Sequence, residues 1–268
     1  MALPSQPGKS EPIKIKPTTP IIIGPGPPPI QIQPSGLSFD RFRPFYILEE
    51  EGLTQGEQTA VVEAVRECLR LAGARGRIRT FGLGVWREPN YFEKGGLVPY
   101  KSIDWLIATS PFQLKADLVN AGTILSQVVR TMYEQHQAYY FLLVPRRNLG
   151  APEIWPLKGN TQADTGCVVS SYWFHYGHGR LSEEDRAGCL KTVAIHEVGH
   201  LFGLWQRTAG LPSNVGAHCP WENHCVMRAM PTLDQAALVA WRDWQTLGRP
   251  FCDNCLANLG NYFPRGEA

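Results

Sequence analysis

The 268-residue chain has no long apolar stretch and no marked excess of charge of one sign. No run approaches the roughly 20 apolar residues that a membrane-spanning helix needs. The N-terminus has neither the basic start nor the apolar core of a secretory signal. The formal net charge is only +2, and Lys and Arg are scattered rather than clustered. We therefore expect a cytoplasmic protein that binds neither nucleic acid nor a membrane, and we favour a monomer.

The seven cysteines are few and odd in number, which argues against a disulfide framework. Two close pairs near the C-terminus, Cys219 with Cys225 and Cys252 with Cys255, fit metal binding better than disulfides in a chain without an export signal. The remaining cysteines lie in apolar or helical surroundings and are expected to be buried thiols: Cys68, Cys167 and Cys189.

Residues 1–36 are dense in proline, which excludes a helix or an interior strand there. We expect an extended or disordered tail and place the start of the folded region near residue 37. Helical spacing of apolar residues then predicts a helix that begins after Thr54, where Glu57 completes a capping box, and ends at Gly73. Further helices are expected over residues 118–132, 182–203 and 232–244.

Four apolar runs predict strands, at residues 77–86, 103–109, 138–144 and 167–173. The run 138–144 is apolar enough for a central strand. Polar positions alternate along 167–173, which suits an edge that can hold an extended peptide by backbone hydrogen bonds. The alternation of helices and strands indicates an α/β layer that leads into the helix 182–203.

The pattern His-Glu-Val-Gly-His lies near the end of that helix. His196 and His200 are four residues apart, so a helix places both imidazoles on one side, close enough to bind one metal ion. Glu197 is positioned to take a proton from a metal-bound water. Gly203 follows three residues after the second histidine and can adopt the positive φ of a sharp turn. This pattern is typical of a zinc hydrolase.

A catalytic zinc needs three protein ligands and one open position. The position three residues after Gly203, where metzincins have their third histidine, holds Gln206. Two histidines follow in the same loop, His218 and His224. The spacing alone leaves the third ligand open between these three residues and a water molecule.

The region from 187 to 256 resembles the archaemetzincin family, through His-Glu-x-x-His-x-x-Gly, a later His-Cys pair, Cys-x-Met and Cys-x-x-Cys. The resemblance implies a zinc-dependent endopeptidase or aminopeptidase that acts on peptide or protein substrates. It implies His196, His200 and His218 as ligands of a catalytic zinc, Glu197 as general base and Met227 as the methionine turn below the metal. It also implies a second, structural zinc, held by Cys219, Cys225, Cys252 and Cys255.

The family fold implied is metzincin-like: a twisted mixed sheet packed on the active-site helix, with a smaller C-terminal subdomain held by the four-cysteine zinc. We therefore expect an N-terminal α/β subdomain at residues 37–203 and the C-terminal subdomain at 204–268. Three features depart from the family pattern, namely extra residues at 206–217, a longer gap between Cys219 and Cys225, and a longer stretch from Met227 to Cys252. The alternative function is an inactive, zinc-stabilised binding module on the same scaffold.

Overall fold

A computed structural model describes residues 42–85, 102–112, 118–134, 139–151, 154–176, 181–204, 218–229 and 233–263. Several sequence predictions fall outside these ranges. They are the proline-rich tail at 1–36, the alternative ligand Gln206 and the helix cap Thr232.

Eight strands form two sheets in the described part of the chain. They are Phe45–Glu49 (β1), Thr80–Val85 (β2), Leu118–Asn120 (β3), Tyr140–Val144 (β4), Asn148–Ala151 (β5), Ile154–Leu157 (β6), Gly159–Gln162 (β7) and Gly166–Val169 (β8). The larger sheet has the order β2-β1-β4-β8-β7, in which only β7 runs antiparallel to its neighbour. The smaller sheet has the order β3-β5-β6.

Seven α-helices are present among the described residues. They are Gln55–Leu71 (α1), Ile103–Ala108 (α2), Ala121–Glu134 (α3), Tyr172–Tyr176 (α4), Glu183–Leu201 (α5), Leu233–Leu247 (α6) and Asp253–Gly260 (α7). None of them is long and apolar enough to cross a membrane. The capping box predicted at the start of α1 is confirmed, because Thr54 and Glu57 hydrogen-bond to each other's backbone N–H in the way that sequence spacing required.

The large sheet is covered by helices on both faces, and β4 shows this most clearly. All five of its side chains are buried, in keeping with its position between β1 and β8. Alternate residues, such as Tyr140 and Leu142, join a core with α1 and α5, whereas Phe141 and Leu143 pack towards α2 and α3. The predicted α/β class and the central strand at 138–144 are therefore confirmed. All the described residues belong to one compact unit, 39–268, within which the subdomain division at 203 and 204 stays a prediction.

Two strand predictions were wrong. Residues 103–109 were expected to form a strand but contain helix α2, whose first turn is capped by the hydroxyl of Ser102 accepting from the N–H of Trp105. A short apolar run fits a buried strand or a buried helix equally well, and here the cap decides. The strand predicted at 167–173 is shorter, is fully buried and lies between β4 and β7. The edge of the sheet is β7 instead.

Candidate metal centres

Helix α5 carries the histidine pair into the interior. The Ser182 side chain accepts a hydrogen bond from the N–H of Asp185, and three acidic residues in the first turn interact favourably with the helix dipole. From Gly188 to Leu201 nearly every residue is buried, since α1, α6 and the sheet surround the helix. Gly203 has φ of 83°, so the chain turns sharply just after the helix, as the sequence predicted.

The ring orientations of His196 and His200 are fixed by backbone carbonyl groups. Nδ1 of His196 lies 2.6 Å from the carbonyl oxygen of Val226, and Nδ1 of His200 lies 2.9 Å from that of Leu204. A carbonyl oxygen can only accept, so each Nδ1 carries the proton and donates it. Each neutral ring therefore presents an unprotonated Nε2, and these two Nε2 atoms lie 3.1 Å apart.

His218 completes a cluster of three imidazoles. Its ring centroid lies 5.3 Å from the centroids of both His196 and His200. One ring nitrogen from each of the three residues lies within 4.8 Å of the others. The structure thus brings together the three histidines that the family resemblance named.

The chemistry of this cluster fits a zinc ion. Zinc bonds imidazole nitrogen at about 2.0–2.1 Å, so two nitrogens on one tetrahedral zinc lie about 3.3 Å apart, close to the separation of the His196 and His200 Nε2 atoms. Burial lowers the pKa of His196 well below its usual value, and burial together with the charge of His218 lowers the pKa of His200 to about 3. Both rings are therefore neutral at pH 7, as a metal ligand must be.

Glu197 lies beside the cluster and is itself almost completely buried. Burial raises the pKa of its carboxyl group to about 7, although a hydrogen bond from Thr161 works in the opposite direction. The Thr161 hydroxyl lies 2.5 Å from Oε2 of Glu197. A carboxyl group with a pKa near neutrality can both take and release a proton at physiological pH.

Met227 packs beneath the histidines. It is 1% exposed, and its Sδ atom lies 2.7 Å from the point where a Cβ on Gly199 would sit. Gly199 lies between Glu197 and His200 in the metal-binding motif, so only a residue without a side chain allows this approach. The role of Met227 as a methionine turn below the metal stays a prediction.

Four cysteines form the second cluster, as the resemblance also implied. The sulfurs of Cys219, Cys225, Cys252 and Cys255 lie within 4.8 Å of one another, and no disulfide joins any of the seven cysteines, all of which lie in the described ranges. The Sγ of Cys219 lies 3.9 Å from that of Cys252 and 3.3 Å from that of Cys255. A disulfide needs about 2.05 Å, whereas two sulfurs on one tetrahedral zinc lie about 3.8 Å apart.

Protonation in this cluster also favours a cation. Hydrogen bonds from Cys219 and Cys255 lower the pKa of the Cys225 thiol to about 3, while the pKa values of Cys219 and Cys255 are raised. Ionisation of Cys225 thus opposes the ionisation of Cys219 and Cys255. Four thiolates in this space require a bound metal ion to balance them.

The two clusters are joined through a short stretch of backbone. Cys219 directly follows His218, and its N–H donates to the carbonyl oxygen of Met227 at 2.8 Å. Val226, whose carbonyl orients His196, directly follows Cys225. The cysteine cluster is therefore linked through neighbouring residues to two of the three histidines, His218 and His196.

The other candidate histidines lie elsewhere. His224 is exposed and pairs with Asp243 of α6 at 3.3 Å. His175 lies in α4, with its Nε2 2.7 Å from the buried carboxylate of Glu57. Sequence reasoning missed Thr161 and the carbonyl of Val226, and no local pattern marks either of them.

No protein-family model and no curated protein matches this chain. Solved structures do resemble it. An archaemetzincin from Methanopyrus kandleri is 16% identical with a TM-score of 0.53, and the match covers 83% of this chain and 96% of that one. A zinc-dependent peptidase from Methanocorpusculum labreanum is 17% identical with a TM-score of 0.52, covering 80% and 99%. The chain therefore has the archaemetzincin fold, and the predicted metzincin-like fold class is confirmed.

Proposed function

We propose that this chain, which has the archaemetzincin fold, is a zinc-dependent peptidase that hydrolyses peptide bonds in peptide or protein substrates. The observation that carries the proposal is the cluster of three imidazoles beside a buried carboxylate. His196, His200 and His218 would hold the catalytic zinc, and the four cysteines would hold a second, structural zinc. The structure from Methanocorpusculum labreanum, which is named a zinc-dependent peptidase, supports the same function.

Zinc bound to three neutral imidazoles supplies a Lewis acid that polarises a carbonyl group and acidifies water. Proton transfer is carried out by a side chain of the protein. Glu197, with its pKa raised to about 7 by burial, accepts a proton from the attacking water at a carboxylate oxygen. It then passes that proton to the nitrogen of the leaving amine. One side chain thus serves as base and then as acid.

An extended substrate would bind along β7. This strand pairs with β8 on one side, and its other edge pairs with no strand in the part of the chain that the structure describes. Thr161, in the middle of β7, contacts Glu197. A substrate strand added at this edge would therefore run past the proposed base. We therefore assign peptide binding to β7, whereas the sequence predicted it for the strand at 167–173.

The alternative, an inactive binding module, was motivated by the missing histidine at position 206. His218 lies against His196 and His200 and supplies a third imidazole from elsewhere in the chain, which favours the peptidase.

The test is cleavage of a mixed peptide library by the zinc-loaded protein, with products identified by mass spectrometry. We expect cleavage that a zinc chelator stops and added zinc restores, and that falls about 10²–10⁴-fold in Glu197→Gln. Equal cleavage by wild type and Glu197→Gln would remove Glu197 from the reaction. A zinc-loaded wild type that cleaves nothing would favour the binding module. Peptides with blocked and free N-termini in the same library separate an endopeptidase from an aminopeptidase.

A further inference from the structure

The edge strand β7 touches the active-site helix at one side chain, Glu197. Side chains alternate along a strand, so Gly159 and Thr161 face the same way, and both lie against Glu197. The Oγ1 of Thr161 lies 2.5 Å from Oε2 of Glu197 and 3.1 Å from its backbone carbonyl oxygen. A Cβ on Gly159 would lie 2.6 Å from Oε1 and 2.7 Å from Cδ of the same carboxyl group.

These contacts confine the carboxyl group from two directions. A distance of 2.6 Å between a carbon and an oxygen is well inside van der Waals contact, so residue 159 must lack a side chain for the carboxyl group to lie there. The hydroxyl of Thr161 then fixes the rotation of the carboxyl group by binding Oε2. Glu197 has little freedom to turn away, because the helix around it is buried.

We propose that Thr161 is a positioning residue for Glu197, which it holds at the edge strand in the clearance that Gly159 provides. The inference deepens the proposed function, on which the role of Glu197 as general base rests. Among the described residues, both hydrogen bonds of the Thr161 hydroxyl go to Glu197, so we expect its effect on activity to run through Glu197.

The hydroxyl group suits this task because it can donate one hydrogen bond and accept others. The Thr161 hydroxyl lies within hydrogen-bond distance of both Oε2 and the backbone carbonyl oxygen of Glu197, so it ties the carboxyl group to the strand and lies against the helix backbone at the same residue.

The role of the Thr161 hydroxyl can be tested by substitutions that keep the backbone pairing of β7. Thr161 is held in the sheet by its pairing with Cys167 of β8, which does not involve the hydroxyl. Valine has the same branched shape as threonine and suits a strand. Thr161→Val thus removes the hydroxyl while it keeps the strand, and Thr161→Ser restores the hydroxyl with one methyl group fewer.

The experiment compares wild type, Thr161→Val and Thr161→Ser, each zinc-loaded, on one peptide that the wild type cleaves. We expect Thr161→Val to lower kcat about 10–100-fold, the range found for groups that orient catalytic residues, with KM within twofold. Thr161→Ser should recover kcat to within about threefold of wild type. Zinc content and far-ultraviolet circular dichroism should be equal in all three, which shows that neither the fold nor the metal changed.

Two kinetic results would overturn the proposal. One is a kcat for Thr161→Val equal to that of wild type while Glu197→Gln is inactive. The other is a Thr161→Ser variant as slow as Thr161→Val, because the hydroxyl would then not be the group that matters.

Crystal structures of the zinc-loaded wild type and Thr161→Val give a readout that does not depend on activity. We expect the Glu197 carboxyl group to contact residue 161 in the wild type and to rotate away in the valine variant. If the wild type cleaves no peptide, the proposed function fails. The positioning of Glu197 is then judged by these structures alone. A carboxyl group in the same place in both would refute it.

Discussion

The Nε2 atoms of His196 and His200 face each other at 3.1 Å, and neither carries a proton, because Nδ1 of each ring donates to a backbone carbonyl. Two lone pairs at this distance repel unless a cation lies between them. The protein holds them there through buried carbonyl groups of Val226 and Leu204 and through a rigid helix. We infer that the histidine cluster binds a metal ion, and the predictions below follow from that inference.

Replacement of His218 should remove one of two bound zinc ions. With His218→Ala, two imidazoles remain, which is fewer than the three protein ligands of a catalytic zinc. We expect two zinc ions per chain in wild type and one in the variant, measured by inductively coupled plasma mass spectrometry after dialysis. His224→Ala is the matched control, since this exposed histidine pairs with Asp243, and it should keep both ions. A His218→Ala protein that keeps both would exclude His218 as a ligand.

Loss of the cysteine site should weaken the histidine site as well. Cys252→Ser removes one of the four sulfurs, and we expect the structural zinc to be lost. The affinity of the remaining zinc should then fall about 10–100-fold, because Cys219 adjoins His218 and Cys225 adjoins Val226. Competition with a chromophoric chelator measures this. Cys68→Ala, on the buried face of α1, should leave both affinities unchanged. If Cys252→Ser loses the structural zinc while the affinity of the remaining zinc is unchanged, the two sites are not coupled.

Because Gly199 contacts Met227, the effect of Gly199→Ala on the free energy of unfolding should change sign when Met227 is replaced by alanine. Gly199→Ala should destabilise the wild type, because its Cβ would lie 2.7 Å from the Met227 sulfur and overpacking costs about 1–3 kcal/mol. In a Met227→Ala background the same change should stabilise, since it gains helix propensity of up to about 1 kcal/mol and fills space. Urea unfolding of the four proteins measures both effects. Gly260→Ala, which meets no atom within 4 Å, should act equally in both backgrounds.

An equal effect of Gly199→Ala in the two backgrounds would mean that the methionine does not pack on this glycine.

The buried Glu197 predicts a pH-dependent difference in stability between wild type and Glu197→Gln in the metal-free protein. Burial raises the pKa of Glu197 from 4.5 to about 7 on folding, so the folded state binds the proton more tightly than the unfolded state. The resulting stabilisation is complete below pH 4.5 and is lost as the pH rises through 7. From pH 5 to pH 7 the free energy of unfolding of wild type, relative to Glu197→Gln, should fall by about 2 kcal/mol.

Urea unfolding in the presence of a chelator provides this measurement. The buried histidines change stability in the opposite direction, but they are present in both proteins and cancel in the difference. A difference that does not change between pH 5 and pH 7 would mean that Glu197 has an ordinary carboxyl pKa.

Local patterns predicted the parts of the site that lie on one element. The four-residue spacing of His196 and His200 and the turn at Gly203 depend on neighbours within one helix, and the structure has both as expected. The third imidazole could not be reached in this way. Residues 204–217 separate Gly203 from His218, and spacing across so many residues does not fix position. Only the family resemblance favoured His218 over Gln206 and His224.

The edge strand and its contact with Glu197 could not be predicted from local patterns at all. β7 has the sequence Gly-Asn-Thr-Gln, which shows neither apolar alternation nor a β-branched run. It is a strand because it pairs with β8, and Thr161 matters because the fold brings it to a helix 36 residues further along the chain. The incorrect prediction of a strand at 103–109 has a simpler reason. Serine is a favoured N-cap residue, so Ser102, directly before this run, was already a local signal for a helix.

The most direct test of the central claim, that the three histidines form a zinc site, is a crystal structure measured at wavelengths above and below the zinc absorption edge. The account predicts two anomalous peaks per chain. One should lie at bonding distance, about 2.0–2.1 Å, from a ring nitrogen of each of His196, His200 and His218, and the other about 2.3 Å from the four cysteine sulfurs. Zinc-loaded crystals with a peak at the cysteines and none among the histidines would contradict it.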